Sequence, residues 1–458
     1  MLPRPTSRTK FRRLRLWLDT TLFPEAPPPP PITVRRVAIA VAVGLAALVL
    51  FILRIDHSTP LDSLWAEDGP DLYQTAMTQN MVTAVASPLS GYVYLVPRLI
   101  AEAATVCPVD FAPKIFAILS AAVAVGCGFV VWRASAGQIR SPHLRGALAL
   151  LVPFAPVSGA ELIANAANTP WYMLFAAFWV LIWRPATMAS SWAGSIFLFA
   201  TALTTPLVAS LAPLAILRGV AIRGRRDGVM LGGFALGLVI QEITLAFNKA
   251  NDPTIVSSHW DPYVWREYGE RVLGGAFFGL DFGGEIWTWA AWAFWALSLF
   301  ALAILVALIV SSGSPRVRWM GAICVALSLG LFVFETYARD INGALAWAAG
   351  SYHENGARYS IVPALLLLSA LFVQLDAKPL RISSRLWRMA RGAALVLIAM
   401  AVVTSFGQSG GPARGGSRWS DSIARAQRHC ESAPRDQSVD IPSSPQGWSV
   451  FLPCGDLE

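Results

Sequence analysis

Apolar runs dominate this chain, broken by short basic stretches or by longer polar and acidic ones. The first, Val37–Leu53, lies between Arg35, Arg36 and Arg54. Ten more follow: Phe111–Val131, Ala147–Val157, Trp171–Trp183, Trp192–Leu203, Leu207–Leu217, Met230–Phe247, Ile286–Val310, Trp319–Phe334, Ile361–Leu375 and Ala393–Phe406. Several fall short of the roughly 20 residues that cross a bilayer alone, so they need tilt or burial among neighbours. The pattern predicts an all-α polytopic membrane protein with about 11 transmembrane helices. Polar stretches between the runs carry their own periodicity. Asp71–Ala84 has helical spacing, with Leu72, Ala76 and Met77 set against Gln74, Thr78 and Gln79. Gly91-Tyr92 breaks the chain, and Pro97-Arg98-Leu99 opens a second helix. Both suit a membrane interface.

Composition agrees. Hydrophobic residues make up 55% and charged residues 14%, against about a quarter charged in a soluble domain. The net charge of +8 raises nucleic acid as a partner, and the distribution of charge excludes it. With the N-terminus inside, more than half of the 36 Lys and Arg fall on inside segments, as the positive-inside rule expects. They include Arg133, Arg140, Arg145, Arg184, Arg218, Arg225, Arg226, Arg316, Arg318 and the run from Lys378 to Arg391. Of the acids, only Asp19, Glu25, Asp227 and Asp376 join them. The long loops, and so any chemistry, face outward.

Three segments follow. Residues 1–36 form a basic, proline-rich start inside, 37–406 the membrane body, and 407–458 a small external tail. The first span is a retained anchor. In the tail, Trp419–Ala426 reads as a short helix and Asp440–Phe451 as extended. Cys430 and Cys454 sit in an oxidising compartment and predict a disulfide, whereas Cys127 and Cys324 fall within spans as core residues. So small a tail packs on the external loops.

Four constellations carry candidate chemistry. Glu67, Asp68 and Asp71 crowd just outside span one; a carboxylate there can act as general base, and a pair can hold a divalent metal such as Mg²⁺ or Mn²⁺. The alternative is a helix N-terminus, where acids favour the dipole. Next, Tyr352, His353, Glu354, Arg358 and Tyr359 precede span ten. An outer-end Arg358 suits a lipid-linked phosphate, and an interfacial Arg–Tyr anchor is the competing reading. His259 lies in an aromatic stretch that can stack on sugars or belong to an interfacial belt. Glu161 and Asn165 are four apart before Trp171 and share a helix face, and Glu242 can join them.

Taken together, the inside N-terminus, the long first external loop and the acidic Glu67-Asp68 after span one resemble the multi-spanning glycosyltransferases of the GT-C fold. The resemblance is architectural and covers the membrane body. It implies a sugar taken from a polyprenyl-phosphate carrier at the outer face of a bacterial inner membrane. It also implies an acidic residue as base or metal ligand, and a basic residue on the phosphate. By position Arg358 is the first candidate for that phosphate and Arg98 the second. The acceptor would be an envelope glycan or glycolipid. A transporter or flippase for a lipid-linked or polar solute is the alternative, with the acids binding a proton or cation. A scaffold whose tail binds an envelope partner is a third reading.

Overall fold

A computed structural model describes residues 7–27, 31–55, 60–222, 224–249, 262–339, 356–377, 383–407 and 417–457. In chain order its helices are α1 (Ser7–Thr21), α2 (Val34–Ile52), α3 (Gln74–Thr78), α4 (Met81–Ala86), α5 (Leu95–Thr105), α6 (Ala112–Ala134), α7 (Pro142–Leu150), α8 (Thr169–Ile182) and α9 (Met188–Ala202). Then come α10 (Ala212–Ala221), α11 (Arg225–Lys249), α12 (Tyr263–Glu267), α13 (Gly275–Phe278), α14 (Leu280–Ser311), α15 (Pro315–Arg339), α16 (Ala357–Asp376), α17 (Ser384–Thr404) and α18 (Trp419–Cys430). Two strands, β1 (Ser438–Pro442) and β2 (Ser449–Pro453), close the chain as an antiparallel pair.

Among the described residues seven helices, not eleven, are long and apolar enough to cross a membrane: α2, α6, α11, α14, α15, α16 and α17. The apolar runs at α8, α9 and α10 form shorter helices. The run Ala147–Val157 forms no single helix. α7 stops at Leu150 and turns follow, because Pro153 and Pro156 cannot donate to a continuing ladder.

Burial separates the central helices from the outer ones. Every residue of α8 is buried, and α16 is buried along nearly its whole length, so these two form the centre of the bundle. The outer helices expose apolar side chains instead: Ile39, Val41 and Leu45 on α2, Phe300 and Ile304 on α14, Leu397 and Met400 on α17. Apolar surface on that scale faces lipid rather than water.

The basic segments gather at one end of the bundle. Arg184 pairs with Asp19 at 2.8 Å, and Arg218 with Asp227 at 2.5 Å. Asp376 accepts the backbone N–H groups of Arg140 and Ser141. Glycine and proline set the breaks at the other end, where a wide π-helical turn, Gly69–Tyr73, leads into α3. The sequence expects one helix over Asp71–Ala84; α3 and α4 instead break at Gln79-Asn80, with the Asn80 side chain capping α4. α5 forms as expected.

Arg54 holds the end of the first span to the rest. It is fully buried and donates to the carbonyls of Pro153, Ser158, Ser405 and Phe406, at 2.9–3.2 Å. One guanidinium thus ties the end of the first span to two separate chain segments whose carbonyls have left helical ladders. Arg54→Met would strand those buried acceptors. We expect it to destabilise the fold by about 3 kcal/mol or more, seen as a lowered thermal midpoint in detergent. An unchanged midpoint would remove Arg54 from this role.

The tail contains the expected helix and extended segment, the latter as two strands. The Cys430–Cys454 disulfide joins α18 to the residue after β2, with Cα atoms 5.3 Å apart. Cys127 and Cys324 are buried within helices as expected.

Candidate functional site

Local backbone geometry sets the acidic motif. Ala66 lies in the left-handed region at φ +43°, where a Cβ costs roughly 1–2 kcal/mol. The chain then turns sharply, and its two acids part. Asp68 is buried. Its Oδ2 accepts the Ala166 N–H at 3.0 Å and its Oδ1 the Ala167 N–H at 2.9 Å. Those amides open the short helical turn Ala166–Asn168, which runs directly into α8. Asp68 therefore caps the entry to the central helix across about a hundred residues of sequence, using the orphan donors of a helix start. Glu67 is half-buried and makes no hydrogen bond or ion pair among the described residues. Its charge acts on Asp68, Asp71, Tyr94 and Arg358.

The phosphate candidate meets this motif from the far side. Gly356, at φ +85°, turns the chain into α16 and so places Arg358 in the first turn of the helix. Glu161 is buried on the opposing segment. Its Oε1 accepts the Arg358 N–H at 2.8 Å, and its Oε2 stands 3.8 Å from the guanidinium. About a third of the Arg358 side chain remains exposed. Its guanidinium lies 5.2 Å over the Tyr359 ring, which in turn meets Trp171 edge-on. Asn168 donates to the Glu161 carbonyl and accepts from Trp171 Nε1, so the loop carrying Glu161 is held from within. Glu67, Asp68, Glu161, Arg358 and Tyr359 thus share one end of the bundle.

Other candidates fall differently. Arg98 is buried and donates to the backbone carbonyl of Asp71, not to its carboxylate. It braces the acidic turn. Glu242 is exposed, and its neighbour Gln241 faces inward, exchanging two 3.1 Å hydrogen bonds with the backbone of Val93. Neighbours on a helix point about 100° apart, so one position decides which of them enters the interior. His259, Tyr352, His353 and Glu354 lie outside the described residues. Sequence reasoning passed over Arg271, which is buried on the π-helical turn Tyr268–Gly274 and feels the charge of Glu161, Glu270 and Glu267. Burial lowers that guanidinium to about 10 against those three carboxylates. The spacing Glu267, Glu270, Arg271 within an apolar stretch was the available signal.

Burial also sets protonation. It pushes the Asp68 carboxyl up to about 8; the two amide donors pull it down, and Glu67 adds a further rise. Asp71 is raised by burial and by Glu67, and lowered by Arg98. A carboxyl raised in the fold binds a proton that the unfolded chain has already released. Its stabilising share is full below about pH 4, the usual carboxylate range, and is lost as pH rises through about 8. Unfolding midpoints measured across that window should fall with rising pH in the natural chain. The slope should flatten in Asp68→Asn, and an unchanged slope would contradict a proton on Asp68.

The residues do not fit a metal centre built on Glu67 and Asp68. Both Asp68 oxygens already accept amides. Among the described residues no group of three His, Cys, Asp or Glu side chains is placed to hold an ion. A cavity of about 660 Å³ lies at the other end of the bundle, lined in part by Arg15, Asp19, Glu25, Arg184 and Arg225. Arg184 there is paired with Asp19 and approaches Glu25. α11 runs from that cavity to Gln241, roughly 24 Å along a helix axis, so this is not the space between Glu67 and Arg358.

No family model matches the chain, and no curated protein matches it. A crystal structure of the Archaeoglobus fulgidus oligosaccharyltransferase, in complex with Zn and sulfate, is similar to it with 13% sequence identity and a TM-score of 0.35. The match covers 86% of this chain and 55% of that one. This chain spans about half the length of that structure's chain, and so distant a likeness carries no argument about activity.

Proposed function

We propose that this protein is a membrane glycosyltransferase. It moves a sugar from a polyprenyl-phosphate donor to a cell-envelope glycan or glycolipid at the outer face of a bacterial inner membrane. The observation that supports this most is that a carboxylate without a bonded partner among the described residues, Glu67, stands at the same end of a lipid-facing bundle as a partly exposed guanidinium, Arg358, on which its charge acts. A transfer from a lipid phosphate needs those two groups: a base for the acceptor and a cation for the leaving group.

The step is a single in-line displacement. The acceptor hydroxyl oxygen bonds to the anomeric carbon as the carbon–oxygen bond to phosphate breaks. The electron pair leaves on the polyprenyl phosphate, whose charge Arg358 meets. The acceptor proton goes to Glu67. Inversion at the anomeric carbon follows from one displacement. Asp68 holds the turn, and Glu161 orients Arg358 through its backbone N–H and guanidinium.

The test is transfer by purified, folded protein presented with a panel of polyprenyl-phosphate sugars and envelope acceptors. Inverted glycoside product is the expected result. Proton-coupled solute uptake in proteoliposomes, without transfer from any donor, would instead establish the transporter.

A further inference from the structure

The C-terminal tail grips the acidic motif from both sides. Before Glu67, the Ala66 N–H donates to the Ser444 carbonyl and the Ser444 N–H donates to the Leu64 carbonyl, at 2.5 and 2.9 Å. Trp65 and Ser444 thereby form a parallel bridge. After Asp68, Gly69 lies against the tail so closely that a Cβ there would stand 3.0 Å from Val450 Cγ2 and 3.3 Å from Ser443 Oγ. Further along, Phe451 N–H donates to Gln74 Oε1 at 2.8 Å. Ser420 donates from its backbone and its hydroxyl to the two oxygens of Asp62.

This grip is built on a shared core. Trp419, Ile423, Ile441, Val450 and Leu452 are buried in one cluster with Leu64, Leu72, Tyr73 and Phe116. Trp419 is fully buried, packs edge-on against Tyr73 and donates from Nε1 to the Val109 carbonyl. The disulfide ties α18 to the end of β2, so the helical anchor and the strand that touches Gly69 are one unit. Ala66 needs such support, because a left-handed alanine persists only where its surroundings over-determine it.

We propose that the tail, residues 417–457, is a positioning element for Glu67. By holding Trp65-Ala66 on one side and Gly69 on the other, it imposes the turn that sends Asp68 to the amides of Ala166 and Ala167. The same turn leaves Glu67 unbonded toward Arg358. Reduction of the Cys430–Cys454 disulfide by a dithiol, which is itself oxidised to a disulfide as the two cysteine thiols form, slackens the grip without removing any group from the site, so the oxidation state of that pair sets the rate of transfer. The rate arm rests on the glycosyltransferase reading. The positional arm does not.

The experiment uses the full chain in a Cys107→Ser background. Three forms are compared with the oxidised protein: the reduced protein, Cys430→Ser with Cys454→Ser, and Trp419→Ala. Trp419→Phe, which keeps the ring in the core, is the conservative control. Hydrogen exchange is read at the amides of Ala66, Ala166 and Ala167, and in α2 as an internal standard. In the three disrupted forms exchange at those amides should rise at least about tenfold while α2 is unchanged, and Trp419→Phe should lie near the parent. kcat should fall at least about tenfold with the donor KM within about twofold, and reoxidation of the reduced protein should restore it. Unchanged exchange in both the reduced and the double-serine protein would overturn the proposal, even if Trp419→Ala failed to fold. Faster exchange with kcat and KM unmoved would also overturn it. If no donor were transferred at all, the exchange arm would still decide positioning, and only the glycosyltransferase reading would be lost.

Discussion

Glu67→Gln should cut sugar transfer by at least about 10²-fold, the range expected for losing a general base. The side chain keeps its shape and its half-buried place, so donor KM and the thermal midpoint should stay near the parent values. Asp68→Asn is the informative partner. Asp68 uses both oxygens on the amides of Ala166 and Ala167. An amide supplies one acceptor and turns a donor toward the other N–H, at a cost of about 1–3 kcal/mol. Its variant should therefore lose stability together with activity, whereas Glu67→Gln loses activity alone. Steady-state transfer and thermal unfolding, measured on the same preparations, separate the two. Full transfer by Glu67→Gln would place the base elsewhere.

Arg358→Ala should raise the donor KM by about 10- to 100-fold, since a hydrogen bond to a charged group contributes about 1.5–3 kcal/mol. The backbone N–H of residue 358 still reaches Glu161 in this variant, so α16 keeps its start and the fold should survive. Arg358→Lys should recover only part of the loss, because a point charge replaces a planar fork. Binding is read directly by titrating a polyprenyl-phosphate sugar into the folded variants. Equal affinity in Arg358→Ala and the parent would leave the phosphate without its proposed cation. Arg98 is predicted to differ. It is buried on the Asp71 carbonyl, so its loss should disturb the acidic turn rather than donor affinity.

What the sequence alone determined is what short-range pattern determines. Apolar runs gave the membrane character, and seven of them fall largely inside the seven long helices. Their edges and number were less legible, because an apolar run reports burial without saying whether lipid or protein does the burying. Every residue of α8 is buried within the protein, and its sequence reads no differently from a span. The tail's helix, its extended segment and its cysteine pair were also local features, and each is present. The acidic cluster was visible as a cluster.

Tertiary structure alone assigned each member of the cluster a place. Asp68 and Glu67 are neighbours in sequence, yet one is bonded across 98 and 99 residues to the entry of α8 and the other makes no bond among the described residues. The left-handed turn at Ala66 immediately precedes them, and the Ala66 N–H is held by the carbonyl of Ser444, far along the chain. That Gln241 rather than Glu242 faces the interior, and that Arg98 meets the Asp71 carbonyl, are decisions of the same kind. Hydropathy and spacing report which residues a segment buries. A hydrogen bond between distant segments depends on how those segments pack, and a single step along a helix, about 100°, is enough to reverse the answer.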